Sequence, residues 1–590
     1  MRTPAGKVAR RGLPIFRGKM NKTFKVARSL TRGTVVTSEK ASSYQGKAVK
    51  TVIAAAVALV AGSAMAAAVP TQDAAGNIKV TGNITVTGTD VVPSKNGTVL
   101  QYDATSWKDV AEQSGTVSYN NVIFLDNGAL KVQAKADGTV AGDFSVKEIV
   151  GTGTLSVSAV NKAGSVATAQ GSTLKIGTAG LGNHEGDNLT VAFTSTGATA
   201  KIDEQGVATI ELAGSAEIGH VGDLPKKNGV VNFTVDENTN ALVESTVAGT
   251  DLSINNATFS NSGRLAFKAV DGQNIALKSV MDTTNDKGVY VFENALTATN
   301  GAAYTGTTVY VGAADATDDA AKAAKTFLVK GATIGNGTDA GEQTKTSTFT
   351  ADTLTLADTN AAGFSVVGGG KAELKTVNVT AGEFSTVAAT DTDYNGYANV
   401  GTLTASKAGK VTLGGTTDVG TLSILAGEDH TANGTTTVST LTIGDLSATG
   451  SAKLTVGTKA EFVVTGDTVL QAKETGSSGS LSVSDAASLE LQGKTAVNEY
   501  GVLSIENTTM TSLGEVTVNK GTFSIAGTSA KDYEAAIQSL TVTDGTASID
   551  GVEIVLNSVN IAEGKTLAVG GTTAATVELG TLTGKGTYSC

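Results

Sequence analysis

Between residues 350 and 445 the chain repeats short runs in which apolar and polar positions alternate: AGFSVV, AGEFSTV, VGTLTAS, VGTLSIL and VSTLTIG. A period of two puts Leu422 and Ile424 on one side of an extended chain and Thr421 and Ser423 on the other. The anchors Phe364, Phe384, Leu403, Leu422 and Leu441 follow one another at intervals of 20, 19, 19 and 19 residues. A second series, Leu354 and Leu374, lies ten residues ahead of Phe364 and Phe384, so each period holds at least two short strands. Self-similarity at this length marks a coil whose repeats cover one another's apolar faces.

The pattern predicts an all-β fold, a right-handed parallel β-helix (β-solenoid) forming a rod. One turn of about twenty residues, bent at Gly, Asn and Asp, stacks about 4.8 Å from the next. The five anchors would then form a core ladder, with Thr, Ser, Asn and Lys outward. The same grammar recurs with looser spacing in Gly153 to Val160, Ser172 to Gly177, Ala452 to Gly457, Ser480 to Ser484, Gly501 to Ile505 and Gly521 to Gly527. An antiparallel β-sandwich allows the same alternation, but the regular 19 to 20 spacing favours the coil. If residues 67–590 all coil, about 26 turns make a rod of about 125 Å. Ala313 to Phe327 (AADATDDAAKAAKTF) interrupts the pattern and reads as a short helix or Ala-rich loop. DTDYNG, Asp391 to Gly396, has the first half of a calcium-loop pattern, yet its twelfth position is Thr402 rather than Glu. A solvated polar turn is expected there.

Composition narrows this picture. The 71 glycines, 5 prolines, 5% aromatic and 17% charged residues leave little for a thick round core, while 40% hydrophobic residues argue against disorder. A thin core of Val, Leu, Ile and Ala remains. The lone cysteine, Cys590, excludes an intrachain disulfide or a thiolate metal site.

Candidate chemistry is sparse. His184, His220 and His430 are the three histidines, each in a polar Gly- or Asp-containing stretch that reads as an exposed loop. No G-x-S-x-G elbow and no phosphate-binding G-x-x-x-x-G-K-[ST] occurs. Asp318 with Asp319, or Asp203 with Glu204, could be nominated as the acid pair of a polysaccharide-acting β-helix enzyme, but acids are too common on so acidic a chain to single any out. GSSGS at Gly476 to Ser480 reads as a flexible loop, and Trp107, the single tryptophan, as a plug over the first turns. The sequence therefore nominates no catalytic, cofactor-binding or metal residue, and no cofactor.

The charge is divided sharply. Residues 1 to 66 carry thirteen Lys and Arg against Glu39 alone, a net +12, so a chain of −11 leaves −23 beyond them. Arg264 is the single arginine in that acidic part, which would repel phosphates, so nucleic acid is not an expected partner. The basic segment feeds into an apolar stretch, Val52 to Val60, with small-residue cleavage sites at Ala64-Met65-Ala66 and Ala66-Ala67-Ala68.

Met20-Asn21-Lys22, Phe24-Lys25-Val26, Arg32-Gly33 and Val35-Val36-Thr37-Ser38-Glu39 stand in the order of a known opening pattern. Residues 20–66 resemble the extended signal peptide of Gram-negative type V secretion proteins, the autotransporters, without that family's usual tryptophans. Residues 1–19 fall outside the resemblance and read as an upstream start that the cell does not use. The resemblance implies the Sec export machinery and the outer-membrane assembly machinery as partners, and the cell surface, outer membrane or extracellular space as destination. It also implies a C-terminal β-barrel of about 250 to 300 residues, whereas TLAVGGTTAATVELGTLTGKGTYSC still reads as solenoid. The expectation is a passenger cut before its barrel; the alternative is a protein exported without one. In style, residues 67–590 resemble adhesins of the AIDA and antigen 43 type, which implies a non-enzymatic role in self-association or in binding a host glycan or protein. A polysaccharide-acting enzyme and a partner-exported structural solenoid are the alternatives.

Overall fold

The computed structural model describes residues 129–133, 142–160, 171–196, 206–222, 228–282, 286–299, 301–312, 326–336, 346–357, 363–389, 395–406, 408–528, 533–571 and 573–590, and the backbone alone of eight strands between residues 25 and 124. The chain divides into Met1–Ala64 and Met65–Cys590. In the first unit, Lys25–Arg28 pairs antiparallel with Thr34–Thr37.

The second unit is a parallel β-helix, and the described residues contain no helix. Each regular turn has three faces. A long strand supplies the first two, bending at its middle, and a short strand supplies the third. In Thr416–Ile424, Thr417, Val419, Leu422 and Ile424 are buried, while Gly420 and Thr421 both point outward at the bend. Two consecutive outward residues reset the alternation as the chain turns a corner. Corner backbones nearly touch: a Cβ on Gly420 would lie 2.4 Å from the carbonyl oxygen of Gly401 one turn earlier, and one on Gly466 would lie 2.5 Å from that of Ser439. Glycine at these two positions lets successive turns close up.

Strand pairing between turns is parallel throughout the regular tract. Tyr397–Ala405, Thr416–Ile424 and Thr435–Ile443 lie in register, with Leu403 opposite Leu422 and Leu422 opposite Leu441. This parallel register excludes the sandwich. Each inward Val, Leu, Ile or Phe sits on its counterpart one turn away, and nearly all of them are removed from water. Burying such a side chain contributes roughly 1.5 to 3 kcal/mol.

Four expectations need correction. The five anchors are all buried but form two ladders: Phe364 pairs with Phe384 on the third face, and Phe384 then meets Val411. Leu403, Leu422 and Leu441 belong to the second face, where Leu403 stacks on Val377. The interval from Phe384 to Leu403 thus crosses from one face to another. Leu354 and Leu374 are likewise not stacked, since Leu354 pairs with Val377 and Leu374 with Ala351.

Turn length also varies. From Leu354 onward, second-face partners stand 19 to 27 residues apart. Among the described residues the third face holds sixteen strands between Glu217 and Ser589, so a turn averages about 25 residues and these turns rise about 70 Å. The extra residues lie in the segments between strands, where ladder pairing does not fix the length. Finally, Thr326 and Phe327 begin a strand, Thr326–Val329; the rest of the predicted helix or loop, 313–325, lies outside the described residues. This strand enters the second face between Val289–Phe292 and the segment Thr308–Val311 that precedes it in the chain.

Candidate interaction surface

Outward positions inherit the register of the core. On the third face, the central outward residue is Ser or Thr in eleven successive strands, from Thr297 through Ser385 and Thr412 to Ser548. At about 4.8 Å per turn the hydroxyl stripe is about 48 Å long. Neighbouring hydroxyls bond along it: Ser385 Oγ donates to Ser365 Oγ at 3.0 Å, and Ser524 Oγ to Ser504 Oγ at 3.3 Å. Each hydroxyl has one donor and two acceptor lone pairs, so these bonds leave capacity facing solvent.

The second face carries a double stripe over five turns. Thr353, Thr376, Thr402, Thr421 and Thr440 form one row, and Thr355, Asn378, Thr404, Ser423 and Thr442 the other. Thr440 Oγ1 donates to Thr421 Oγ1 at 3.1 Å. Ion pairs one turn apart flank these faces, including Lys410 with Glu383 at 3.3 Å and Lys520 with Glu499 at 3.4 Å. Exposed pairs of this kind contribute at most about 1 kcal/mol each.

A groove of about 380 Å³ lies on the first face, where Ser488, Met510, Glu534 and Glu553 stack beside Glu490, Ser512, Ala536 and Val555. Met510 is 58% exposed. Glu490, Glu534 and Glu553 line the groove together with Met510, Ala536 and Val555.

The histidines separate into two kinds. His184 and His220 are half-buried, and His184 Nε2 lies 3.2 Å from Glu148 Oε2. Beside them Asp187 is buried and accepts hydrogen bonds from the N–H groups of Gly151 at 2.7 Å and His184 at 3.1 Å. Burial pushes its carboxyl above the ordinary range against the pull of those bonds. Asp187 thus fastens a turn. His430, expected in an exposed loop, is instead 1% exposed, in the third-face core. Its polar neighbours Gly427 and Asp429 belong to a bulged strand, and this concealed its inward position.

The other predicted positions hold no assembled chemistry. Asp203, Glu204, Asp318, Asp319, Asp391 and Asp393 lie outside the described residues, while Asn395 Oδ1 accepts the Ala389 N–H at 2.8 Å and closes a turn. Trp107 lies in Ser106–Lys108, paired antiparallel with Gln101–Asp103. Of the signal-peptide residues, Lys25, Val26, Val35 and Val36 fall in the first-unit hairpin. Met20, Asn21, Lys22, Phe24, Arg32, Gly33, Ser38, Glu39, Ala64 and Ala66 lie outside the described residues. Among the described residues no three His, Cys, Asp or Glu side chains are grouped to hold a metal ion. No protein-family model, curated protein or solved structure matches the chain.

Proposed function

We propose that this protein is an exported, adhesin-like passenger of the autotransporter kind, attaching cell to cell or cell to host through a long polar face of its β-helix. The observation that carries the reading is the uninterrupted third-face hydroxyl stripe from Thr297 to Ser548. One hydroxyl contact exchanged for water contributes only about 0.5 to 1.5 kcal/mol. A rigid stripe offers many at fixed spacing, and multivalency turns weak contacts into firm attachment. The basic leader, with its apolar run and small-residue sites, supports export.

The test displays the coil on beads and on cells, beside a variant with Thr412, Thr431 and Thr455 replaced by Lys. These three are successive third-face positions, none of them in the core. Lost aggregation or host-surface binding, with an unchanged circular dichroism spectrum, is the expected result. Attachment at wild-type strength would remove the third face from the function.

A further inference from the structure

The third-face strand Gly427–Ala432 contains a β-bulge. Gly427 pairs with Ala452 and His430 with Leu454, so two residues oppose Lys453 alone. On its other side, pairing with the preceding turn covers Thr412 with Thr431 and Leu413 with Ala432. The imidazole closes the irregular end. The Val411 N–H donates to Nδ1 at 3.1 Å, and Nε2 donates to the Ala426 carbonyl at 2.8 Å. An amide N–H only donates and a carbonyl only accepts, which assigns the neutral tautomer with its proton on Nε2.

The local backbone is fitted to this ring. Gly427 has φ of 94°, and a Cβ there would lie 2.8 Å from His430 Nε2. The charged groups around the ring are Asp429 on its own strand, Lys410 on the preceding turn, itself paired with Glu383, and Lys453 opposite the bulge.

We propose that His430 makes this turn an acid-sensitive joint: a proton on Nδ1 replaces the acceptor facing the Val411 N–H with a donor, and Gly427–Ala432 opens. The inference is independent of any adhesive role. Burial holds the ring's proton affinity below the ordinary histidine value, with Lys410 acting in the same direction and the Ala426 bond and Asp429 opposing it. The opened turn therefore binds a proton more readily than the closed one. The joint is fully closed above the ordinary histidine value of about 6.5. Below it, the open population rises by up to about tenfold per pH unit until the closed ring itself titrates. Each turn of a solenoid touches only its neighbours, so opening uncouples adjoining tracts without unfolding them.

Hydrogen exchange with peptide resolution, corrected for intrinsic rates, would compare segments 410–413 and 427–432 at pH 7.5 and 5.5, with the strands Gly521–Ala526 and Gly545–Asp550 as reference. Wild type is expected to lose about tenfold in protection at the first two segments and little at the reference. His430→Asn keeps an uncharged acceptor and donor and should flatten the pH dependence. Histidine-selective ¹⁵N spectra of wild type test the tautomer directly, since only three histidines contribute. Equal protection at both pH values in wild type would overturn the joint. So would a His430 ring that titrates near 6.5 while both segments stay protected. If the variant does not fold, the two wild-type measurements still decide.

Discussion

The tract from Tyr397 to Ile443 and the tract from Ala257 to Phe384 build the same three-faced coil from different side chains. In the first, turns repeat every 19 residues and the core is aliphatic, with Leu403, Leu422 and Leu441 in one column. In the second, turn length is uneven and rings fill the core. Phe292 and Phe327 stand 4.6 Å apart, Tyr304 and Phe349 4.4 Å, and Phe364 and Phe384 are stacked 3° from parallel at 5.9 Å. No aromatic pair follows Phe384 among the described residues. Phe327 meets rings on its own face and on the first face, spanning neighbouring turns, whereas the regular tract has no ring pair among the described residues. The two tracts should therefore differ in how far damage spreads.

Phe327 makes this contrast sharpest, because its ring faces Tyr290, Phe292, Tyr304 and Phe349. Phe327→Ala is expected to cost about 4 kcal/mol in urea unfolding, and Leu422→Ala about 3. Hydrogen exchange should show protection lost over at least three turns around Phe327 but only in the turns touching Leu422. Equal spread would mean that both cores couple alike and that ring packing adds nothing beyond burial.

A smaller difference separates two pairs of core hydroxyls, most of them beyond these two tracts. Thr386 and Thr417 are buried and bonded to each other at 2.9 Å, and the Gly415 N–H donates to Thr386 Oγ1 at 3.2 Å. Thr468 and Thr495 stack inward on successive turns without any hydrogen-bond partner for either hydroxyl. Valine has nearly the same shape. Thr468→Val or Thr495→Val should stabilise by about 1 kcal/mol, since each removes an unsatisfied buried group, and Thr386→Val should destabilise by about the same amount. Thermal melts of the three single variants test the opposite signs; a loss at Thr468 would mean that its hydroxyl is satisfied in solution.

The regular tract was legible because constant turn length turns spatial stacking into constant sequence spacing. That is why Leu403, Leu422 and Leu441 could be read directly. Legibility ended at Phe384, where the segment through Asn395 lengthens the turn and the 19-residue step to Leu403 imitates stacking between residues on different faces. Most of the aromatic stack left no constant spacing, since turn length varies there and some of its contacts join different faces; Phe364 and Phe384, twenty residues apart on one face, are the part that showed it. His430 was hidden by its own bulge, for an extra residue reverses the inside-outside alternation that marks a strand. The polar stripes were foreseen as outward Thr and Ser; their continuity across turns of unequal length was not, because register is set by the core and not by chain distance.

The smallest effect concerns how the two tracts are tied where they meet. Tyr397 opens the regular tract, with Lys371 Nζ of the preceding turn 5.4 Å from its ring centre and its hydroxyl donating to Asp418 Oδ2 of the following turn at 2.9 Å. Partial burial, and then the bond to Asp418 and the charges of Asp418 and Glu373, push the phenol up to about 12. Because the folded chain holds this proton beyond the free tyrosine value of about 10, the tie persists below that pH and is lost as pH rises through about 12. Tyr397→Phe should leave unfolding at pH 7 changed by less than about 1 kcal/mol, since the site is largely open to water. The difference between the wild-type and Tyr397→Phe ultraviolet titrations isolates one phenol among eleven tyrosines. A midpoint near 10 would mean that the Asp418 bond does not persist in solution, and the tie between the tracts would then rest on backbone register alone.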